Sequence, residues 1–350
     1  MAQRWAVLGY GMFGRHHARC LADCPDVELA AIASTSEADR AAARAAHPGA
    51  RVEADWRAVV AAPDLDAVAI VTPNHLHAEM ALAALEAGKA VLVEKPLATT
   101  LADCDRLIEA AGRVGRPLSV GFELRQGAQW ATIQRLVRDG TVGRPRFVRL
   151  GLFRFPFRPG GRGWRHDRAR VGSWILEEPI HHIDLLLWWC AACGGPTEVT
   201  AHGRLRPDGL APSFTASLRF ADGTVASLAQ TVEGFGHHLT VELVGAEGAL
   251  RSVWSAADAR SEHPAFELRA RRHGGEVEED HTPAASGELV ELALQARATA
   301  AAFAQGRPLV PAEDGRRAVQ VALAIEQALR SGETVRLAEG ASRRQQPGRQ

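Results

Sequence analysis

The sequence has no excess of charge of either sign. Lys and Arg together number 41, and Asp and Glu together also number 41, so the formal net charge is zero. Without a long-range positive field, nothing attracts the chain to nucleic acid or to an anionic membrane surface. We therefore expect neither a nucleic-acid partner nor a membrane partner.

Long hydrophobic runs and a disulfide pattern are also missing. The first apolar stretch, residues 5–8, is too short for the core of a signal peptide, so we expect a cytoplasmic protein. The five cysteines are odd in number and match no disulfide framework, so reduced thiols are expected. Cys190 and Cys193 have a C-x-x-C spacing, but no second pair or histidine tract accompanies them, and we predict no metal site.

The length and the apolar pattern predict two domains. A chain of 350 residues exceeds the roughly 250–300 residues at which a single core stops growing. Short apolar runs alternate with alanine-rich, helix-favouring segments: the runs are 4–8, 27–34, 67–71, 90–93 and 118–122, and the helical segments are 36–47, 77–87 and 99–113. Strands that are apolar throughout are typical of a parallel sheet covered on both faces, so residues 1–122 are predicted to form a doubly wound α/β domain.

The pattern changes after residue 122. A helix is predicted over 126–140, strands over 147–153, 215–220, 224–231 and 239–244, and helices over 288–304 and 313–330. Asp222-Gly223 between two strands predicts a hairpin with a type I′ turn, and hence an antiparallel sheet. We assign residues 123–338 to a second, α+β domain, and we predict a disordered tail over residues 339–350.

A glycine motif joins the first strand to the helix that follows. Residues 9–14 form a G-x-G-x-x-G pattern in the strand–loop–helix context that its chemistry requires. The first glycine permits a tight turn, the second admits a diphosphate, and the third allows close packing of helix on strand. The motif predicts a Rossmann-type, dinucleotide-binding domain, in preference to a glycine-rich turn without a ligand. The predicted cofactor contacts here are Gly9, Tyr10, Gly11, Met12, Phe13 and Gly14.

The end of the second strand bears on the choice between NAD and NADP. An acidic residue about 20 residues beyond the glycines holds the ribose of NAD in such domains. Ser34 and Thr35 occupy this place, and we count both as cofactor-binding residues. Because no carboxylate stands there to repel a 2′-phosphate, and Arg15 and Arg40 are near, the sequence slightly favours NADP. We write the predicted cofactor as NAD(P).

Polar residues follow the strands at 67–71 and 90–93. Ligands of open α/β sheets bind outside the carboxyl ends of the strands, so these residues should border the same crevice as the glycines. Lys95 is thereby predicted to place a positive charge beside the cofactor. The predicted contacts are Thr72, Pro73, Asn74, His77, Glu94 and Lys95.

Through residues 9–14, Thr72-Pro73-Asn74 and Glu94-Lys95-Pro96, the chain resembles the glucose-fructose oxidoreductase / inositol dehydrogenase (Gfo/Idh/MocA) family over nearly its whole length. The resemblance implies a Rossmann domain followed by an α+β domain with a large, mostly antiparallel open sheet. It implies assembly through that sheet as a homodimer or homotetramer. It also implies an oxidoreductase that transfers hydride between NAD(P) and a secondary alcohol of a sugar, a cyclitol or a sugar derivative.

The resemblance also points to catalytic residues in the second domain. In the family, an Asp and a His four residues later complete the site with the lysine of the Glu-Lys-Pro element. The matching residues here are Glu177, in place of the usual Asp, and His181. Pro179, where a Gly is common, requires a helix that begins close to Glu177 or its neighbour. The i,i+4 spacing then predicts that Glu177 lies near His181 and orients it.

Oxidation of a secondary alcohol needs a base for the hydroxyl proton and positive charge near the oxygen. We predict His181 as the acid–base, because an imidazole with a pKa of about 6.5 can act near neutrality, and Lys95 as the group that polarises the oxygen. His182 is the competitor of His181. Tyr10, the only tyrosine, lies inside the glycine motif and is expected to pack on the cofactor.

Candidate substrate contacts come from several segments. Arginines and aromatic residues alternate over 154–170, which indicates either recognition of an anionic sugar or a solvated loop or subunit contact. From this run we predict Trp164 and Arg165 as a substrate wall. Arg125 is predicted either to flank the crevice or to form a structural salt bridge. Asp184 is predicted either to orient an imidazole or to belong to a solvated or interface surface.

Two other functions fit the same residues. One is an eliminase, epimerase or glycosidase that uses NAD only transiently. The other is a regulator that binds a dinucleotide without catalysis, although the presence of both Lys95 and His181 argues against it.

Overall fold

The computed structural model describes residues 2–261 and 263–337. Its N-terminal part contains the strands β1 (Gln3–Leu8), β2 (Val27–Ala33), β3 (Arg51–Glu53), β4 (Ala67–Ile70), β5 (Ala90–Glu94) and β6 (Leu118–Gly121). They form one parallel sheet in the order β3-β2-β1-β4-β5-β6, which is the strand order of a Rossmann domain. The predicted doubly wound sheet is confirmed.

Helices cover both faces of this sheet. They are α1 (Met12–Ala22), α2 (Glu37–Ala46), α3 (Trp56–Val60), α4 (His77–Glu86) and α5 (Leu101–Val114). Alternate residues of β1 enter two different cores, since Ala6 and Leu8 belong to one cluster and Trp5 and Val7 to another. Burial on both faces explains why these strands read as unbroken apolar runs.

Two short elements escaped the sequence pattern. The strand β3 has three residues, two of them charged and exposed, so it gives no apolar run. The helix α3 has five residues, which is too short for a helical period. In addition, α1 begins at Met12, inside the glycine motif.

The C-terminal part is built on a nine-stranded sheet. Its strands are β7 (Pro145–Phe153), β8 (Pro196–Arg204), β9 (Ser213–Phe220), β10 (Val225–Thr231), β11 (His237–Gly245), β12 (Gly248–Ala256), β13 (Ala265–Arg272), β14 (Glu279–Asp280) and β15 (Val335–Arg336). The order is β14-β13-β12-β11-β7-β10-β9-β8-β15. Only the β7–β10 pair of this described sheet is parallel, so the predicted mostly antiparallel sheet is confirmed.

Its helices are α6 (Ala128–Arg138), α7 (Arg168–Val171), α8 (Pro179–Trp189), α9 (Glu288–Ala304) and α10 (Ala312–Ser331). The helix α8 begins with Pro179 in its first turn and has Glu178 as its N-cap, as the proline predicted. The boundary that we propose between residues 122 and 123 falls between β6 and a short 3-10 helix, Glu123–Gln126. The predicted tail, residues 339–350, lies outside the described residues.

The hairpin between β9 and β10 forms, but its predicted turn type was wrong. A type I′ turn needs positive φ at two central residues. Here Gly223 has a φ of +92°, whereas Asp222 does not have positive φ. Four residues, 221–224, separate the two strands, with Gly223 N–H bonded to Phe220 O and the Asp222 carboxylate accepting from Thr224 N. Asp222 therefore stabilises the turn through its side chain and not through a positive φ.

Helix α9 crosses from the C-terminal part onto the Rossmann sheet. Its residues Leu292, Ala296 and Ala300 share a core with β1, and Phe303 stacks on Trp5 at 5.3 Å between ring centroids. Gln3 Nε2 also donates to Ala300 O at 2.9 Å. None of the described helices is both long and apolar enough to cross a membrane.

Candidate active site

A cleft of about 1330 Å3 lies between the two parts of the molecule. The predicted site residues that line it are Gly9, Tyr10, Gly11, Met12, Phe13, Gly14, Ser34, Thr35, Thr72, Pro73, Asn74, Glu94, Lys95, Trp164, Arg165, Glu177 and His181. His77, Arg125 and Asp184 do not line it. Most of the residues predicted from the sequence therefore lie in one cleft. What each of them can do there depends on its hydrogen-bond and ion-pair partners.

The glycine loop forms a cradle at one end of the cleft. A Cβ on Gly14 would lie 2.0 Å from Gly9 O, and Gly9 itself has a φ of +99°, so the turn requires both glycines. A Cβ on Gly11 would meet no atom within 4 Å, which leaves open space against the backbone. The N-terminus of α1 has no side-chain cap and no acidic residue in its first turn. These free N–H groups fit the diphosphate of a dinucleotide.

The residues after β2 border the same end of the cleft. Ser34 is buried, and its carbonyl oxygen accepts from Arg40 Nη1 at 2.8 Å. Nη2 of the Arg40 guanidinium pairs with the Glu37 carboxylate. Arg15 Nη2 lies 2.8 Å from Asp39 Oδ1. Both arginines that the sequence offered to a 2′-phosphate therefore already have carboxylate partners.

Tyr10 and His77 have different surroundings. The buried Tyr10 ring makes an edge contact with His47 at 5.9 Å and lines the cleft, as expected for a residue that packs on the cofactor. His77 is completely buried, with Nδ1 2.7 Å from Pro96 O and Nε2 2.9 Å from Thr72 O. We had predicted that His77 contacts the cofactor. The side chain instead links the loop after β4 to the loop after β5.

Lys95 is anchored on the segment that leads into α8. Its Nζ donates to Glu177 O at 2.5 Å and lies 4.0 Å from Glu177 Oε2. The preceding residue, Glu94, is buried, with Oε1 2.8 Å from His17 Nε2. The lysine thus spans the two parts of the molecule, and its ammonium group stands at the wall of the cleft.

The Glu177 carboxylate belongs to this cationic side of the site. Oε1 accepts from Arg165 Nε at 2.5 Å, and Oε2 lies 3.5 Å from Asn74 Nδ2. Burial by itself raises the pKa of Glu177, but Lys95 and Arg165 outweigh it and hold that pKa below its usual value. The predicted contact with His181 is not among its hydrogen bonds and ion pairs, because two cations and an amide surround it instead.

His181 is buried on the first turns of α8 and makes an edge contact with Phe122 at 6.0 Å. Burial first, and then the nearby Lys95, lower the pKa of His181 well below its usual value, so the ring is neutral. The carboxylate nearest to its ring is that of Glu123, with Oε2 3.6 Å from Nδ1. The neighbouring His182 is also buried, and burial lowers its pKa to about 4.

Trp164 and Arg165, which we predicted as a substrate wall, lie beside each other in the cleft. The Arg165 guanidinium lies 4.7 Å from the centre of the Trp164 ring, and both side chains line the cleft. On the same side, Arg154 pairs with Glu178, the residue after Glu177. Each of the two arginines is thus paired with a glutamate in the segment immediately before α8.

Arg125 and Asp184 form a buried ion pair away from the cleft lining. Arg125 donates from Nε and Nη2 to the two oxygens of Asp184, at 2.7 and 2.6 Å, and from Nη1 to Asp314 at 2.8 Å. This geometry is that of the structural salt bridge, the alternative that the sequence left open for Arg125. Asp184 lies neither at an imidazole nor at a surface.

Sequence reasoning missed several residues that complete the cleft. Arg260 lies 3.4 Å from Met12 Sδ and 2.9 Å from Glu288 Oε2, which brings charge from the C-terminal part to the glycine loop. Glu291 accepts from Trp130 Nε1, and burial raises its pKa to about 8. The sequence shows two glutamates, Glu288 and Glu291, in the first turn of α9. No nearby motif indicated that these glutamates face the dinucleotide cleft.

Comparison with known proteins identifies the family. Residues 3–122 match the model of an oxidoreductase family with an NAD-binding Rossmann fold, and residues 130–251 match the model of the GFO/IDH/MocA C-terminal domain. The chain belongs to the Gfo/Idh/MocA family. This Gfo/Idh/MocA protein is 33% identical over 347 residues to inositol 2-dehydrogenase 2 of Saccharopolyspora erythraea, with 95% of each chain covered.

Two further known proteins match this chain over nearly its whole length. The chain is 29% identical over 343 residues to 1,5-anhydro-D-fructose reductase of Ensifer adhaerens, covering 96% of this chain and 99% of the relative. The crystal structure of aldose-aldose oxidoreductase from Caulobacter crescentus superposes with a TM-score of 0.82 at 26% identity, over 96% of this chain and 100% of that one. The protein is therefore an enzyme, a nicotinamide-dependent oxidoreductase.

Proposed function

We propose that the protein transfers hydride between NAD and a secondary alcohol of an uncharged sugar or cyclitol, with Lys95 polarising the oxygen and His181 moving the proton. The observation that carries this proposal is the placement of an ammonium group and a neutral, buried imidazole on one wall of the dinucleotide cleft. When bound, the nicotinamide supplies the hydride chemistry. The chain supplies orientation, charge and the proton path.

The roles follow from the charges. Lys95 is held by Glu177 O, so its ammonium group stays in place while negative charge develops on the substrate oxygen. His181 is neutral because of burial and Lys95, so a ring nitrogen is free to accept the hydroxyl proton. Glu177 balances Lys95 and Arg165, and it thereby fixes both cations against the cleft.

The arrangement after β2 supports NAD as the preferred cofactor. The sequence leaned towards NADP because Arg15 and Arg40 were near a strand end without a carboxylate. Arg40 is paired with Glu37 and Arg15 with Asp39, and both acids line the cleft. A 2′-phosphate would have to displace these carboxylates, whereas a ribose hydroxyl would not.

The pairing of the wall arginines supports an uncharged substrate. Arg154, Arg165 and Arg260 each have a glutamate partner, Glu178, Glu177 and Glu288. An arginine that already pairs with a carboxylate offers less to a sugar acid or phosphate than a free one does. Hydroxyl groups can bind to such pairs without separating them.

The test is a panel of cyclitols, aldoses, sugar acids and sugar phosphates, assayed in both directions with NAD and with NADP. We expect formation of the reduced nicotinamide in proportion to an oxidised cyclitol or aldose, with a higher kcat/KM for NAD than for NADP. Substrate conversion without net reduction of the cofactor would instead favour the transient use of NAD. Cofactor binding without any turnover would favour the non-catalytic regulator.

We also propose that the protein forms a homodimer or homotetramer through the open face of the C-terminal sheet. Phe147 and Val244 are register partners on β7 and β11, and they and Phe153 are exposed on the face opposite to the buried Val148, Leu150 and Leu152. Exposed aromatic side chains on the uncovered face of a sheet favour an association surface, and the Arg149–Glu242 pair lies between them on the same face. Light scattering of the wild type should give a dimer or tetramer mass, and Phe147→Glu should lower it; a monomeric wild type would contradict the proposal.

A further inference from the structure

Two buried polar atoms of residues that line the cleft face each other without a hydrogen bond. Glu123 Oε2 and His181 Nδ1 both lack a partner, and 3.6 Å separates them. Glu123 is 3% exposed and His181 is 6% exposed, so water does not readily satisfy either atom. A separation of 3.6 Å is just too long for a hydrogen bond, and such bonds often tighten when substrate binds.

The groups around Glu123 favour a proton on it. Burial first, and then Glu94 from β5 and Glu288 from α9, raise its pKa well above the usual value, while Lys95 acts in the opposite sense. Around His181, burial, Lys95, His182 and Arg154 lower the pKa, and Glu178 acts in the opposite sense. The carboxyl thus holds a proton more readily than usual, and the imidazole holds one less readily.

We propose that Glu123 is the positioning residue of His181, in place of Glu177, which the sequence had predicted to orient it. Glu123 also takes the proton that His181 receives from the substrate. This inference rests on the proposed function, because it needs His181 as the acid–base. Glu123 acts through His181 and touches no reacting atom.

The proton balance is as follows for alcohol oxidation. Before reaction, at a pH above its raised pKa, Glu123 is a carboxylate that accepts from His181 Nδ1–H, and Nε2 carries a lone pair. The substrate C–H bond breaks with hydride passing to the nicotinamide, and the O–H bond breaks with its proton passing to Nε2. The Nδ1 proton then moves to Glu123. The Glu123–His181 pair changes from a charge of −1 to zero, and no imidazolium remains beside Lys95.

Geometry excludes Glu177 from this role. Its two carboxylate oxygens are taken by Arg165, Asn74 and Lys95. Those partners keep it ionised, so it has little affinity for a proton. Glu123 has the opposite character, since burial and two acids, Glu94 and Glu288, raise its pKa and its Oε2 has no hydrogen bond.

The first experiment compares the pH dependence of kcat/KM in the wild type and Glu123→Gln. We expect the plateau to fall by about a hundredfold, the lower end of what general acid–base catalysis contributes. The acid limb should move to lower pH, because His181 then titrates alone with a lowered pKa, while in the wild type the pair titrates with the raised pKa of Glu123. Glu123→Asp, which keeps the carboxylate, should recover part of the plateau.

The second experiment needs no cofactor and no turnover. Long-range nitrogen–proton NMR spectra of histidine-labelled protein report which ring nitrogen carries the proton, and the His181 signals are assigned by their loss in His181→Asn. Above the acid limb we expect the Nδ1–H form in the wild type. In Glu123→Gln the amide can donate to Nδ1, so the Nε2–H form should increase.

Glu326→Gln serves as the control, since Glu326 is a buried carboxylate that pairs with Arg168 and Arg330 outside this cleft. Its pH profile should match the wild type. An active wild type whose pH profile and His181 proton position are unchanged by Glu123→Gln would overturn the inference and leave the proposed function intact. A protein with no turnover on any sugar or cyclitol would overturn the function, while the NMR result would still show whether the pair exists.

Discussion

Replacement of Lys95 by methionine is expected to lower kcat by about 10²- to 10³-fold, the loss that follows removal of one group that stabilises developing negative charge. Methionine keeps much of the volume of lysine but removes the ammonium group. The hydrogen bond to Glu177 O also disappears, and the Glu177 carboxylate keeps Arg165 as its remaining cation. The loss should fall on kcat more than on KM, because the charge matters most in the transition state.

The measurement is steady-state kinetics on the best substrate of the panel, together with the Kd of the dinucleotide from tryptophan fluorescence. Lys95→Arg is the matched control, because it retains a cation and should lose less activity than Lys95→Met. The Kd should stay within a few-fold of the wild type in both variants. A Lys95→Met enzyme with wild-type kcat would remove Lys95 from the mechanism.

Replacement of Arg125 by methionine is expected to have the largest effect on stability. The change leaves the Asp184 carboxylate buried and without either of its two guanidinium donors. Burial already raises the pKa of Asp184 even with Arg125 present. Breaking a buried ion pair by removing one partner costs about 3–5 kcal/mol, because an uncompensated charge remains in the interior.

Urea unfolding followed by circular dichroism measures this cost. The control is Arg135→Met, which breaks the exposed i,i+4 pair of Arg135 with Asp139 and should change the free energy of unfolding by less than about 1 kcal/mol. Arg125→Met combined with Asp184→Asn should recover part of the loss, since the second change removes the unpaired charge. Equal stability of Arg125→Met and Arg135→Met would show that the buried pair contributes nothing beyond a surface pair.

The features that could be predicted from the sequence depend on local patterns. The glycine motif and Lys95 lie directly after buried strands, and the carboxyl ends of parallel strands meet at one edge of the sheet, so their meeting point followed from position alone. Of the longer strands in the second sheet, β8, β12 and β13 were missed, because charged and polar residues interrupt the apolar ones in each.

The sequence could not predict which side chains pair with each other inside the site. The i,i+4 spacing placed Glu177 beside His181, but the segment before α8 is not yet helical, and three polar groups draw the Glu177 side chain elsewhere. Glu123 approaches His181 from the other side, across 58 positions of the chain. Contacts of that separation follow from how the 3-10 helix Glu123–Gln126 packs against α8, and no residue spacing predicts them.

The crossing of α9 onto the Rossmann sheet limits how this protein can be recombined. The strands between Gln3 and Gly121 form the whole parallel sheet, yet one of its cores is closed by Leu292, Ala296 and Ala300 from much later in the chain. The cofactor half is therefore not a transferable module when cut at residue 122. A chimera that takes this half from one relative must also take α9 from that relative, or the Trp5 ring loses its stacking partner.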